Sequence, residues 1–125
     1  MQKYKSKTTS SITEAILDII KYNSEHNLYS SICVLLPDNN KRKESLVDTA
    51  NTLGLDCSFT NSMISSENIK IFFKLQNKEF GTGQSFSNLI VVGDIKTEDL
   101  YFWLTRVRLE SNFNLYFIMD KQERN

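Results

Sequence analysis

The chain is short of the residue types from which most self-contained active sites are built. In 125 residues it has one histidine, two cysteines, one tryptophan, one proline and four glycines. His26 is the sole imidazole, and no serine–histidine–acid set or nucleophile with a ready base can be assembled around it. It falls at the end of an expected helix, where a charged imidazole favours the helix dipole. Cys33 and Cys57 each lie in an apolar, strand-like run without zinc-ligand spacing, so both read as small buried hydrophobes and no metal site is expected. Net charge is also missing: 15 cationic residues balance 15 acidic ones. No global field then points to nucleic acid or an anionic membrane, and any phosphate binding has to be local. No apolar run reaches membrane length, and the opening MQKYKSKTTS has no apolar core of a signal peptide. No membrane role is expected, and the compartment is read as cytoplasmic with reduced thiols. A phosphate-cradling GxxxxGK[ST] loop is lacking too. Gly81-Thr82-Gly83-Gln84-Ser85 has no lysine to reach the phosphates. An independent ATPase or hydrolase is not expected.

What the chain does have is alternation. Residues 1–9 are polar and basic and read as a flexible lead-in, followed by a single domain over 10–120 and a polar tail over 121–125. Ser11-Ile12-Thr13-Glu14 forms a capping box, and Ile12, Ala15, Ile16, Ile19 and Ile20 supply an amphipathic helix to about His26. Ser31–Leu36 (SICVLL) and Asn88–Val92 (NLIVV) are apolar throughout, as strands buried on both faces require. Leu55–Thr60, Ile69–Leu75 and Phe113–Met119 are further strands. A helix from about Lys41 to Leu53 carries Leu46, Val47, Ala50 and Leu53 on one face and ends at Gly54. Another is expected from a Thr97 cap to about Leu109, with Glu98 and Asp99 in its first turn. Such alternation predicts an α/β fold: a mainly parallel sheet of about five strands with helices on both faces. Open sheets of this kind bind ligands beyond the carboxyl ends of their strands. That edge comprises Pro37–Asn40, Gln76–Ser87, Gly93–Lys96 and the residues after Met119.

Arginine is used sparingly, four times in all, yet two of the four stand together in Asp99–Arg108, DLYFWLTRVR. Its planar, always-charged fork suits phosphate and carboxylate in a way that lysine does not. The run resembles LLYVALTRAR, the last motif of superfamily 1 (UvrD/Rep-like) helicases, with Leu100, Tyr101, Leu104, Thr105, Arg106 and Arg108 matching. Ile32–Asn39 is similar to that family's VAVLYRTN strand and turn, chiefly through Asn39 and the apolar core. Thr49–Leu55 resembles the helix ending that follows it. The family's KGLEF motif has two candidate matches, Lys78-Glu79-Phe80 and Gly83-Gln84-Ser85-Phe86. Asn114–Ile118 resembles the strand after the final motif.

The resemblance implies the second RecA-like domain of such a motor, the one that lacks the Walker loop. Arg106 would be an arginine finger, with Glu79, Gly83 and Gln84 beside it at the nucleotide. Asn39, Thr105 and Arg108 would contact nucleic acid or a partner. No cofactor belongs to the chain alone; ATP with Mg would enter only if a partner domain completed the site. The implied partners are a first RecA-like domain or a larger helicase or nuclease complex, with nucleic acid along the strand-end edge. Trp103 stands where the family has a small residue, so its indole is expected to fill space that a nucleotide needs. From spacing alone, Arg106 and Arg108 could equally pair with Glu98, Asp99 or Glu110 on a solvated helix face. At least two of Tyr101, Phe102, Trp103 and Leu104 are expected in the core. Two other functions stay open: an interaction module that mimics or blocks a helicase, as from a phage or mobile element, and a small α/β protein that binds a nucleotide or metabolite at Gly81–Ser87.

Overall fold

The computed structural model describes residues 4–9, 11–77, 86–105 and 113–118. In chain order the elements are β1 (Tyr4–Thr9), α1 (Ile12–Glu25), β2 (Ser30–Leu36), α2 (Asn39–Leu53), β3 (Cys57–Ser58), β4 (Met63–Ser65), β5 (Ile69–Leu75), β6 (Asn88–Val92), α3 (Thr97–Leu104) and β7 (Phe113–Ile118). They build one seven-stranded sheet in the order β1-β7-β6-β2-β5-β4-β3. The five strands from β1 to β5 across the sheet run parallel, and β4 and β3 close the far side antiparallel.

Local chemistry sets the helix ends. Ser11 accepts a hydrogen bond from the Glu14 amide at 3.2 Å and starts α1. Asp38 does the same for α2, its Oδ1 accepting from the Lys41 amide at 2.8 Å. Gly54 ends α2 in the left-handed region, φ 69°, where a residue without a Cβ carries no penalty. The start of α3 differs from expectation. Its N-cap is Lys96, which makes no side-chain cap bond, and Thr97 is already helical. Thr105 closes the described helix, its hydroxyl donating to the Phe102 carbonyl at 2.6 Å. The expected continuation to Leu109 lies outside the described residues.

Two of the strand expectations change. Tyr4–Thr9, expected to be flexible, pairs in parallel register with β7. The segment YKSKTT has no apolar run to announce a strand; the main-chain ladder to β7 supplies what the side-chain pattern does not. Leu55–Thr60, expected as one strand, contributes only Cys57–Ser58 before a turn leads into β4. The expected count of about five strands therefore becomes seven.

Alternating side chains divide the core in two. Ile32, Val34, Leu36, Ile71, Phe73, Ile90 and Val92 face α1 and α2, meeting Ile16, Ile19, Leu46 and Ala50. Cys33, Leu35, Phe72, Leu89, Val91 and Leu115 face the other way, toward Trp103 of α3. The chain travels from β1 to β2 to β5 with helices over the first face, then from β6 to β7 with a helix over the second. Uniform crossover handedness demands that switch of face when the direction of travel reverses. At the amino ends of the strands, Asn114 donates to Asn88 at 2.9 Å, Asn88 donates to the Ser31 carbonyl at 3.2 Å, and Asn23 of α1 donates to Ser30 at 3.0 Å. Buried and half-buried amides with fixed partners penalise any shift of register.

Candidate functional site

The two directions of travel part between β2 and β6, so the switch-point crevice lies where Leu36 leads to Pro37 and Val92 leads to Gly93. Gln76, the first residue after β5, lies across this place. Its amide donates to the Leu36 carbonyl at 3.0 Å, and its side-chain Nε2 donates to the Val92 carbonyl at 2.6 Å. Its own carbonyl accepts from Trp103 Nε1 at 2.8 Å. One residue thereby ties the carboxyl ends of three neighbouring strands to α3. Gly93, at φ 75°, turns back so that its amide donates to the Ile118 carbonyl at 2.8 Å, continuing the seam to β7.

Trp103 lies in the core, as expected of at least two of Tyr101, Phe102, Trp103 and Leu104, while the space beside Arg106 lies outside the described residues. The indole is 1 % exposed and packs among Cys33, Leu35, Phe72, Phe86, Leu89, Val91 and Leu115, with the Phe102 ring edge-on at 5.3 Å. It fills the core on the α3 face, because the helical spacing aims position 103 at the sheet while Tyr101, 71 % exposed, points to solvent. Phe102 and Leu104 are half-buried against the same cluster.

Of the residues assigned from sequence, Asn39 and Thr105 are described, and both are exposed. Asn39 opens α2, and its Oδ1 accepts from Arg42 Nη2 at 2.8 Å. Thr105 caps α3. The two are on helices over opposite faces of the sheet. Arg106, Arg108, Glu79, Gly83 and Gln84 lie outside the described residues. Sequence reasoning placed Gln76 at the candidate edge but not in its bridging role, which depends on Val92 and Trp103. It also missed the surroundings of Asn39, where Arg42, Lys43, Leu46, Phe59 and Ser62 join Asn39 and Asn40 around a cavity of about 350 Å³. A second cavity, about 450 Å³, opens at the amino ends of β2 and β5. It is lined by the side of α1 and the turn before β2 and has no charged side chain in its wall.

Burial pushes the Cys33 thiol far up from its ordinary value of 9.0, with only partial opposition from the Lys74 charge. It is a packing group rather than a nucleophile. Both cysteines are free. His26 is exposed at the end of α1, its Nδ1 2.8 Å from the Tyr22 carbonyl and its ring stacked on Tyr22 at 4.0 Å. Among the described residues, no group of three or more His, Cys, Asp or Glu is arranged to hold a metal ion, and no helix is long and apolar enough to cross a membrane. No protein-family model matches this chain, and no curated protein matches it significantly.

Proposed function

We propose that the chain is a degenerate second RecA-like domain of the superfamily 1 helicase type, without catalysis of its own, acting through a protein partner. The supports are the motif-like run DLYFWLTRVR, which enters α3 directly after the buried strand β6, and the mainly parallel sheet with helices on both faces. The observation that carries the non-catalytic part is the Gln76 bridge. A ligand at the switch point would have to break the bond to the Val92 carbonyl and disturb the Trp103 contact. Together with the missing phosphate-cradling lysine, this favours a domain that lends a surface to another motor over one that turns over nucleotide.

The test is phosphate release by the purified chain with and without single-stranded DNA, alongside an ATP–Mg titration read by Trp103 fluorescence. No turnover and no saturable quenching are expected. Micromolar quenching that disappears in Arg106→Ala would overturn the proposal. A helicase mimic or blocker is the second reading, favoured by the cationic cavity beside Phe59. It differs in sign: adding the chain to a first RecA-like domain or a larger helicase–nuclease complex would suppress the motor's ATPase instead of supporting it.

A further inference from the structure

The cavity beside α2 is cationic. Lys41, Arg42 and Lys43 follow one another in the opening turns of α2, behind the Asp38 cap whose carboxylate accepts from the Lys41 amide, and Arg42 and Lys43 line the cavity. The amino end of a helix is the positive end of its dipole, so cations there work against helix stability. Arg42 is held by a neutral group, the Asn39 side chain, rather than by a carboxylate. No carboxylate lines the cavity either. Asn39, Arg42, Lys43 and Leu46 recur at three- and four-residue spacing, so one stripe of α2 presents them together.

The rest of the wall is the turn that carries Phe59 and Ser62. Phe59 is 58 % exposed, an unusual position for a phenyl ring, while Leu46 across from it is buried. The turn that carries Phe59 is held at both ends. The Asn61 amide donates to Ser58 Oγ at 3.2 Å, and the Ser62 carbonyl accepts from the Phe73 amide at 2.9 Å. Ser62 sits at φ 49°, a left-handed conformation costly for a residue with a Cβ, so the surrounding bonds define the turn. The backbone that carries the ring is preset, which lowers part of the ordering cost of binding.

We propose that this cavity is the partner-docking site, and that its occupant is an acidic protein segment inserting one bulky apolar side chain between Phe59 and Leu46. The inference rests on the reading that the chain works through a protein partner, and it names the surface. Arg42 and Lys43 meet carboxylates flanking the anchor, while Asn39 and Asn40 can donate to its main chain. The backbone amides of Lys41 and Arg42 take no part, since Asp38 already engages them. A protein segment is favoured over a nucleic-acid strand because the charge is local. One cationic turn in a chain of zero net charge offers no track for successive phosphates.

The probe is the synthetic peptide Ac-EDEFLDEE-NH2, titrated into the ¹⁵N-labelled 125-residue chain and followed by amide chemical shifts. Saturable shifts centred on Asn39, Asn40, Lys43, Phe59 and Ser62 are expected. Phe59→Ala and Lys43→Glu should each weaken binding by about tenfold or more, as loss of an anchor contact does. Both sites are at the surface, so unchanged circular-dichroism melts separate lost binding from lost folding. Raising the salt should weaken the interaction further. Shifts that do not saturate, that lie elsewhere or that ignore both substitutions overturn the proposal, as does tighter binding of oligothymidylate at the same residues. A motor domain that binds the chain regardless of Phe59→Ala keeps the functional reading and removes this site. Peptide binding here without any motor-domain binding keeps the site and removes the helicase reading.

Discussion

Replacing Trp103 with phenylalanine separates an indole that builds the core from one that occupies a ligand crevice. The substitution removes the Nε1 donor to the Gln76 carbonyl and leaves the space of one ring of the indole beside Leu35, Leu89 and Val91. The hydrogen bond contributes about 1 kcal/mol, at the lower end of the usual range because half-buried Gln76 can recover water. The lost packing in a site 1 % exposed adds on the order of 1–2 kcal/mol. Together they give about 2–3 kcal/mol, or roughly 4 °C in melting temperature for each kcal/mol in a domain of this size. Urea denaturation followed by far-ultraviolet circular dichroism is the assay, since the fluorophore itself has been removed. Gln76→Ala alone should cost about 1 kcal/mol, and the double variant should show a coupling of about 0.5 kcal/mol or more if the two residues act as one latch. A loss below about 0.5 kcal/mol for Trp103→Phe, the range of an unconstrained surface site, would refute the assignment of the indole to the core.

Leu35→Ala and Val91→Ala, both at fully buried central strands, should each destabilise by about 2–4 kcal/mol in the same denaturant melts. Thr49→Val should stabilise by about 1 kcal/mol, because the Thr49 hydroxyl is buried without a hydrogen-bond partner; a destabilised variant would mean that the hydroxyl is satisfied in solution. Cys33 should resist a thiol reagent at neutral pH until the protein unfolds, whereas half-buried Cys57 reacts first. Because the folded Cys33 value lies above the unfolded one, its contribution is intact below about pH 9 and is lost progressively as pH climbs above it, so Cys33→Val should flatten the alkaline fall in stability.

Most of what was legible in the sequence is local. SICVLL and NLIVV announce buried strands because full burial needs apolar residues on both faces, and both are there. The end of α2 follows from Gly54, whose effect acts within one turn, while the helix starts at Asn39, two residues before the expected Lys41, because Asp38 caps it. Tyr4–Thr9 was hidden because a polar edge strand gains its place from a ladder with residues near the other end of the chain. The short β3–β4 hairpin was hidden because two or three residues carry too little pattern. The candidate site was legible as edge segments, Pro37–Asn40 and Gln76–Ser87, but not in its contacts. The role of Gln76 depends on Val92 and Trp103, distant in sequence, and no spacing within the loop records that meeting. Phe59 looked like part of a strand, and only the turn that replaces it makes the ring exposed.

The pairing of β1 with β7 has a consequence in time. Tyr4 aligns with Phe113 and Thr9 with Ile118, so the first strand of this sheet to be synthesised waits for the last of the sheet. During translation, β2 and β5 can find each other and α2 can cover them while β1 still has no neighbour. Closing so long a loop adds little to the equilibrium cost, since that cost grows only logarithmically with length. It acts on rate, because contacts of large sequence separation form slowly. Until β7 arrives, β6 keeps an open parallel edge, and any strand-like segment nearby can compete for it. The interval before that seam closes is when the nascent chain is most exposed to mispairing.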